Sequence, residues 1–134
     1  MSGLAHHDAV VARLRARSGW SGKVFEPGEV PDGTAPWYVV VASTPGNRAQ
    51  ARFTGGKAAL TTTHTVYCVG DIARKALWVA QGVEAQCLDY RFTITGRVPR
   101  IPAEWVSRPV TNEKDGVFPL PFAVIQFDLT SEPA

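Results

Sequence analysis

Three histidines, two cysteines and one glycine-rich basic run are the places where this chain could carry side-chain chemistry. His6-His7-Asp8 is its one local cluster of potential metal ligands. Neighbouring residues on a helix point about 100° apart, so the two imidazoles cannot grip one ion, and no ligand follows one turn later. The cluster reads instead as the solvated start of a helix. His64 and Cys68 lie four residues apart, and a thiol beside an imidazole is the material of nucleophilic catalysis. On a strand that spacing amounts to roughly 13 Å, too far for a hydrogen bond. His64 shares a strand face with Leu60, Thr62, Val66 and Cys68, and the expectation for it is a partly buried, hydrogen-bonded side chain. Gly55-Gly56-Lys57 lacks the remainder of a phosphate loop, and no helix begins at Lys57. Carboxylate pairs suited to acid–base work do not stand out. The residues outline no catalytic centre, no metal site and no cofactor.

The elements that hold these residues are built around Leu60–Gln86. Residues 60–69 are rich in β-branched and aromatic types without Gly or Pro, which predicts a strand. Gly70 breaks it, Asp71 stands where an N-cap belongs, and a helix follows. Its apolar stripe is Ile72, Ala76, Val79, Ala80 and Val83, with Leu77 beside it, and this stripe should fold back onto the sheet.

At 134 residues the chain predicts one domain, spanning 1–134. A net charge of +2 spread over 14 scattered basic residues does not describe a nucleic-acid binder. Cys68 and Cys87 read as free thiols in the core rather than as a disulfide framework. The N-terminus has no basic leader or apolar h-region, so the expectation is synthesis in a reducing, cytoplasm-like compartment. No apolar run is long enough for a bilayer, which implies no membrane partner.

From the start, residues 4–17 predict a helix with apolar positions Leu4, Val10, Val11 and Leu14, ended by Ser18-Gly19. A short strand over 20–25 precedes a Pro-rich turn, and Trp37–Ala42 reads as a strand buried on both faces. Ser43–Lys57 is polar, Gly-rich and moderately basic; between two strands it predicts a long hairpin arm. Further strands are expected at Leu88–Thr95 and Trp105–Val110, with a Pro-interrupted edge segment at Val98–Pro102. Thr111–Gly116 is a charged turn. Phe122–Leu129 alternates cleanly, with Ala123, Ile125, Phe127 and Leu129 inward. The tail 131–134 should fray. The class is α+β: a mixed, mostly antiparallel sheet, two helices packed on one face, and a long arm.

Several of these pieces together resemble the tail terminator proteins of long-tailed bacteriophages, in the form found in phages of actinobacteria. Carrying the resemblance are the first helix leading into Val24–Val41, the block Thr65-Val66-Tyr67-Cys68-Val69-Gly70 with Ala76-Leu77-Trp78-Val79-Ala80, and the closing strand 122–129. The resemblance implies no catalytic residues. It implies a homo-oligomeric ring, a hexamer, that stops tail-tube growth at the head-proximal end of the virion after assembly in the host cytoplasm. Its partners would be the tail tube protein and the head connector or stopper. Contact with DNA in the lumen is a further possibility through the basic arm. A closed head-to-tail ring needs two different surfaces per subunit. The arm offers Arg48, Arg52, Phe53 and Lys57 for one, and the charged turn offers Glu113, Lys114 and Asp115 for another. The four tryptophans, Trp20, Trp37, Trp78 and Trp105, are expected mostly in the core, with Trp105, beside a Pro-rich edge, the first candidate among them for exposure and contact. A head–tail joining protein is the alternative in the same system, and a small accessory binding module stands behind it.

Overall fold

In the computed structural model, residues 2–31, 36–45, 47–48, 59–102, 105–111 and 120–133 are described. Helix α1 (Ser2–Arg15) leads through a turn to β1 (Val24–Phe25), and β2 (Trp37–Ser43) and β3 (Asn47–Arg48) precede the long strand β4 (Leu60–Gly70). Helix α2 (Ala73–Cys87) follows, then β5 (Arg97–Pro99), β6 (Trp105–Thr111) and β7 (Phe122–Pro133). The seven strands form one sheet in the order β1-β2-β4-β7-β5, with β3 also on β4 and β6 also on β7. Among the described residues only β1 with β2 runs parallel; β2–β4, β4–β7 and the other pairs are antiparallel. The fold is α+β, as the sequence pattern predicts.

Period-two alternation divides the side chains between two faces. On the helix-covered face, Val39 and Val41 of β2, Val66 and Cys68 of β4, and Ala123, Ile125, Phe127 and Leu129 of β7 join Val10, Val11 and Leu14 of α1 and Val79, Ala80 and Val83 of α2 in the main core. The opposite face carries a smaller core of Tyr38, Val40, Val69, Phe122 and Val124, covered by Phe25, Val30 and Leu120. Hence β2 is buried on both sides, as its unbroken apolar run implies. The two helices clasp each other: Arg13 Nε donates to Gln86 O (2.9 Å), and Gln86 Nε2 donates to Arg13 O (2.8 Å). The Arg13 guanidinium also lies over the Tyr90 ring at 3.6 Å.

At one end of the sheet three tryptophans meet. Trp20 and Trp37 centroids stand 5.0 Å apart, and Trp78 lies 5.4 Å from Trp37. Trp20 and Trp37 are core residues, but Trp78 is 45% exposed and stacks under Lys75 Nζ at 3.9 Å, so its expected place in the core is not the observed one. The Trp20 ring reaches α2 only because position 82 is glycine: a Cβ there would stand 2.5 Å from the ring.

Several sequence expectations are corrected by tertiary demands. Helix α1 ends at Arg15, and the chain tightens through Arg17 N–H to Leu14 O before Gly19 turns left-handed at φ 82°. Asp71 does not cap α2; its N–H is held by Pro36 O at 2.8 Å, and Ile72 takes the cap position without a side-chain bond. Ile72 and Leu77 consequently face solvent, and the buried stripe is Ala76, Val79, Ala80, Val83 and Cys87. Leu88–Thr95 is no strand: Leu88 N–H closes α2 onto Glu84 O, and Asp89 turns left-handed at φ 59°. Phe92 and Ile94 then plug the core beneath β7, whose outer edge belongs to β5 and β6. The tail is not frayed through Pro133, because Ser131 is buried and paired with both Leu60 and Pro99.

Gly82→Ala should overpack the Trp20 contact and cost about 1–3 kcal/mol. Thermal unfolding followed by circular dichroism should show a Tm lower by several degrees; an unchanged or raised Tm would mean that Trp20 yields freely.

Candidate functional site

All three histidines stand in a single hydrogen-bonded line beneath α1. Arg97 Nε donates to Ser131 Oγ (2.7 Å), which meets His6 Nε2 (2.6 Å). His6 Nδ1 meets Thr62 Oγ1 (2.8 Å), and the same hydroxyl meets His64 Nε2 (2.7 Å). His64 Nδ1 meets Ser43 Oγ (2.8 Å), Ser43 meets His7 Nδ1 (2.6 Å), and His7 Nε2 meets Glu26 Oε1 (2.7 Å). The line ties α1 to β7, β4 and β2 in turn.

Its two ends fix the sense of every bond. Arg97 can only donate and an ionised Glu26 can only accept. With neutral imidazoles, each residue between them supplies one proton, and the seven contacts need every proton available. Ser131 therefore donates to His6, His6 through Nδ1–H to Thr62, Thr62 to His64, His64 through Nδ1–H to Ser43, Ser43 to His7, and His7 through Nε2–H to Glu26. An extra proton on His64 would make a flanking hydroxyl accept from both sides and turn its own proton out of the line. Burial holds His64 well below its ordinary 6.5, at about 3, with His6 and His7 adding to the effect. Burial, with the Arg97 charge behind it, lowers His6 as well. Burial likewise pushes the Cys87 thiol up to about 12 and raises Cys68, so both sulfurs are protonated core groups rather than nucleophiles.

His6 and His7 are thus not a solvated helix start. His6 is fully buried, and the signal for it is its spacing: His6, Val10 and Leu14 repeat every four residues on the buried stripe of α1. His64 is buried and hydrogen-bonded as its strand face implies. Ser43, His7 and Glu26 form a Ser–His–Glu contact, but the Ser43 hydroxyl is shared with His64, which suits a structural clasp better than an activated nucleophile. Among the described residues no group of three or more His, Cys, Asp or Glu is placed to hold a metal ion, and no helix is long and apolar enough to cross a membrane.

The line surfaces at Glu26 in an open groove of about 640 Å³. Gly3, Leu4 and His7 of α1 form one wall, residues 41–45 another, and Glu26, Pro27 and Glu29 the third. Elsewhere the outer face of α2 presents Leu77 (52% exposed) and Trp78, with Ile72 (58%) just before it. Val106 of β6 (59%) and Val98 of β5 (50%) are apolar side chains left uncovered at the opposite sheet edge.

The residues singled out by sequence fall mostly elsewhere. Arg48 lies in β3 opposite Leu60, and Trp105 lies in β6 opposite Phe127. Arg52, Phe53, Lys57, Glu113, Lys114 and Asp115 lie outside the described residues. The apolar face of α2 and the groove were missed; Leu77-Trp78 beside Arg74 and Lys75 was the available signal for the first.

No family model matches the sequence, and no curated protein does. Among solved structures, a chain described as part of the virion of a native gene transfer agent particle is similar, with a TM-score of 0.62 at 18% identity. The likeness covers 97% of this chain and 93% of that one. It is a likeness of fold, running almost end to end.

The polar line also sets a pH response. The unfolded chain binds protons on His64 and His6 as pH drops below about 6.5, whereas the folded chain resists them. Stability is therefore complete at neutral pH and declines as pH falls from 6.5 toward 3. Between pH 7 and pH 5 His64 alone should remove roughly 2 kcal/mol. Urea unfolding at the two pH values should show this loss, and His64→Leu should reduce it to the part that His6 carries; a stability unchanged over that interval would refute a neutral, buried His64.

Proposed function

We propose that this protein is a structural component of a virion, a tail terminator that forms a ring on the finished tail tube. The observation that carries this reading is the near end-to-end likeness of fold to a chain of a gene transfer agent virion. The sequence resemblance to tail terminators points the same way, and supplies the ring, the tail tube and the head connector as partners. The exposed apolar side chains support it. Leu77 and Trp78 on α2, and Val98 and Val106 at the far edge, give each subunit two unlike surfaces, as head-to-tail closure demands. In this reading the protein works by assembly and not by catalysis, and its buried cysteines and histidines serve packing. The basic arm with Arg48, Arg52 and Lys57, and the charged turn with Glu113, Lys114 and Asp115, are its further contact segments. Six subunits per ring is the expected stoichiometry.

Particles assembled without this protein should carry overlong, uncapped tubes in electron micrographs. Tubes of normal length that fail to join heads would make it a joining protein instead. Normal particles would overturn both.

A further inference from the structure

The outer face of α2 combines large apolar side chains with positive charge. At about 100° per residue, Arg74 stands opposite the buried stripe of Ala76, Val79 and Val83, and Leu77 and Trp78 flank it on either side. Lys75 lies over the Trp78 ring. Residues 72–83 include no acidic side chain. Among the described residues Arg74 has no carboxylate partner. Ile72 offers no side-chain cap, so the partial positive charge of the helix start adds to that of Arg74 and Lys75. A surface that covers this face must be acidic at its rim and open at its floor.

Another part of the same chain has that chemistry. Asp8, Glu26 and Glu29 rim an open cleft of about 780 Å³ along α1. Val11, Ala12 and Ala16 form its floor, and the two exposed alanines leave room above them for larger side chains. The cation of the cleft, Arg15, is committed to Val24 O at 3.0 Å. Glu26 holds His7, while Asp8 and Glu29 have no ion-pair partner among the described residues.

The two surfaces cannot meet within one chain. Arg13 and Arg17 turn one flank of α1 toward α2, Arg13 bonded to Gln86 O and Arg17 standing beside Gly82. Asp8 and Arg15 lie on the opposite flank, toward β1. Helix α1 therefore stands between the cleft and α2, and only another molecule can bring them together.

We propose that the outer face of α2 docks into the α1 cleft of a second copy of this chain. Leu77 and Trp78 cover Ala12 and Ala16, and Arg74 meets Asp8 and Glu29. Because the two surfaces are unlike, the contact is head to tail, and each subunit keeps one surface of each kind for its next neighbour. This rests on the ring reading above and names the surface that α2 meets; Val98 and Val106 stay outside the contact.

Two pools of full-length protein test this directly, one carrying Ala12→Cys in the cleft and the other Leu77→Cys on α2. The native thiols of Cys68 and Cys87 are buried and do not compete. Mixed and oxidised, the pools should give a disulfide-linked two-chain species on non-reducing gels, in excess of either pool alone. Asp8→Lys in the first pool should reduce its yield severalfold, and Arg74→Glu in the second should restore it. No cross-link between pools, or one indifferent to both charge reversals, overturns the inference. So does an equal cross-link within a single pool, which would mean symmetric pairing. Overlong tails without the protein, combined with no cross-link, would leave the terminator reading standing and remove this contact. A charge-dependent cross-link combined with normal tails would do the reverse.

Discussion

His64 sits at the centre of the sheet on its helix-covered face, fully buried among Val66, Phe127 and Ser43. An imidazole there must have both nitrogens satisfied, since an orphaned buried polar atom costs about 1–3 kcal/mol. The solution is not a local one. Ser43 and Thr62 satisfy His64, and each of these hydroxyls needs a further partner, which α1 provides as His7 and His6. The requirement propagates until it reaches groups that only donate or only accept, Arg97 and Glu26. Among the described residues no buried side-chain nitrogen or oxygen is left without a partner.

This constraint orders much of the remaining architecture. With its first turn pinned by two histidines, α1 can lay Val10, Val11 and Leu14 on the sheet in one register only, each burial contributing about 1.5–3 kcal/mol. That register brings Arg13 opposite Gln86 and fixes α2 beside α1. It also places Gly3 against the backbone of Pro45, a close approach that no side chain would allow. The groove at the end of β2 is bounded by the same pinned turn, so the polar line shapes a surface as well as a core.

The outer surfaces follow a different logic. The stripe of α2 that packs inward is narrow and made largely of small residues, Ala76, Ala80, Gly82 and Cys87 among them, which lets the helix lie close to the sheet. Its larger apolar residues are left outside. Leu77 and Trp78 are poor choices for a helix that remains in water, and good ones for a helix that is covered on assembly.

Sequence alone determined the class and most of the strands, because alternation in 60–69 and 122–129 and the apolar run at 37–42 admit few other structures. It placed His64 on a buried face for the same reason, and made Cys68 a core residue. It could not place His6 and His7, whose partners lie on strands as far away as Ser131, and a histidine looks solvated until such partners are known. Leu88–Thr95 has the alternation of a strand and spends it filling the core, because the edge of β7 that it would need is taken by β5 and β6. Asp71 has the chemistry of a cap, yet a loop carbonyl holds its backbone elsewhere. Local pattern states what a segment can do; competition for edges, partners and space, settled only in the tertiary structure, decides which of those things it does.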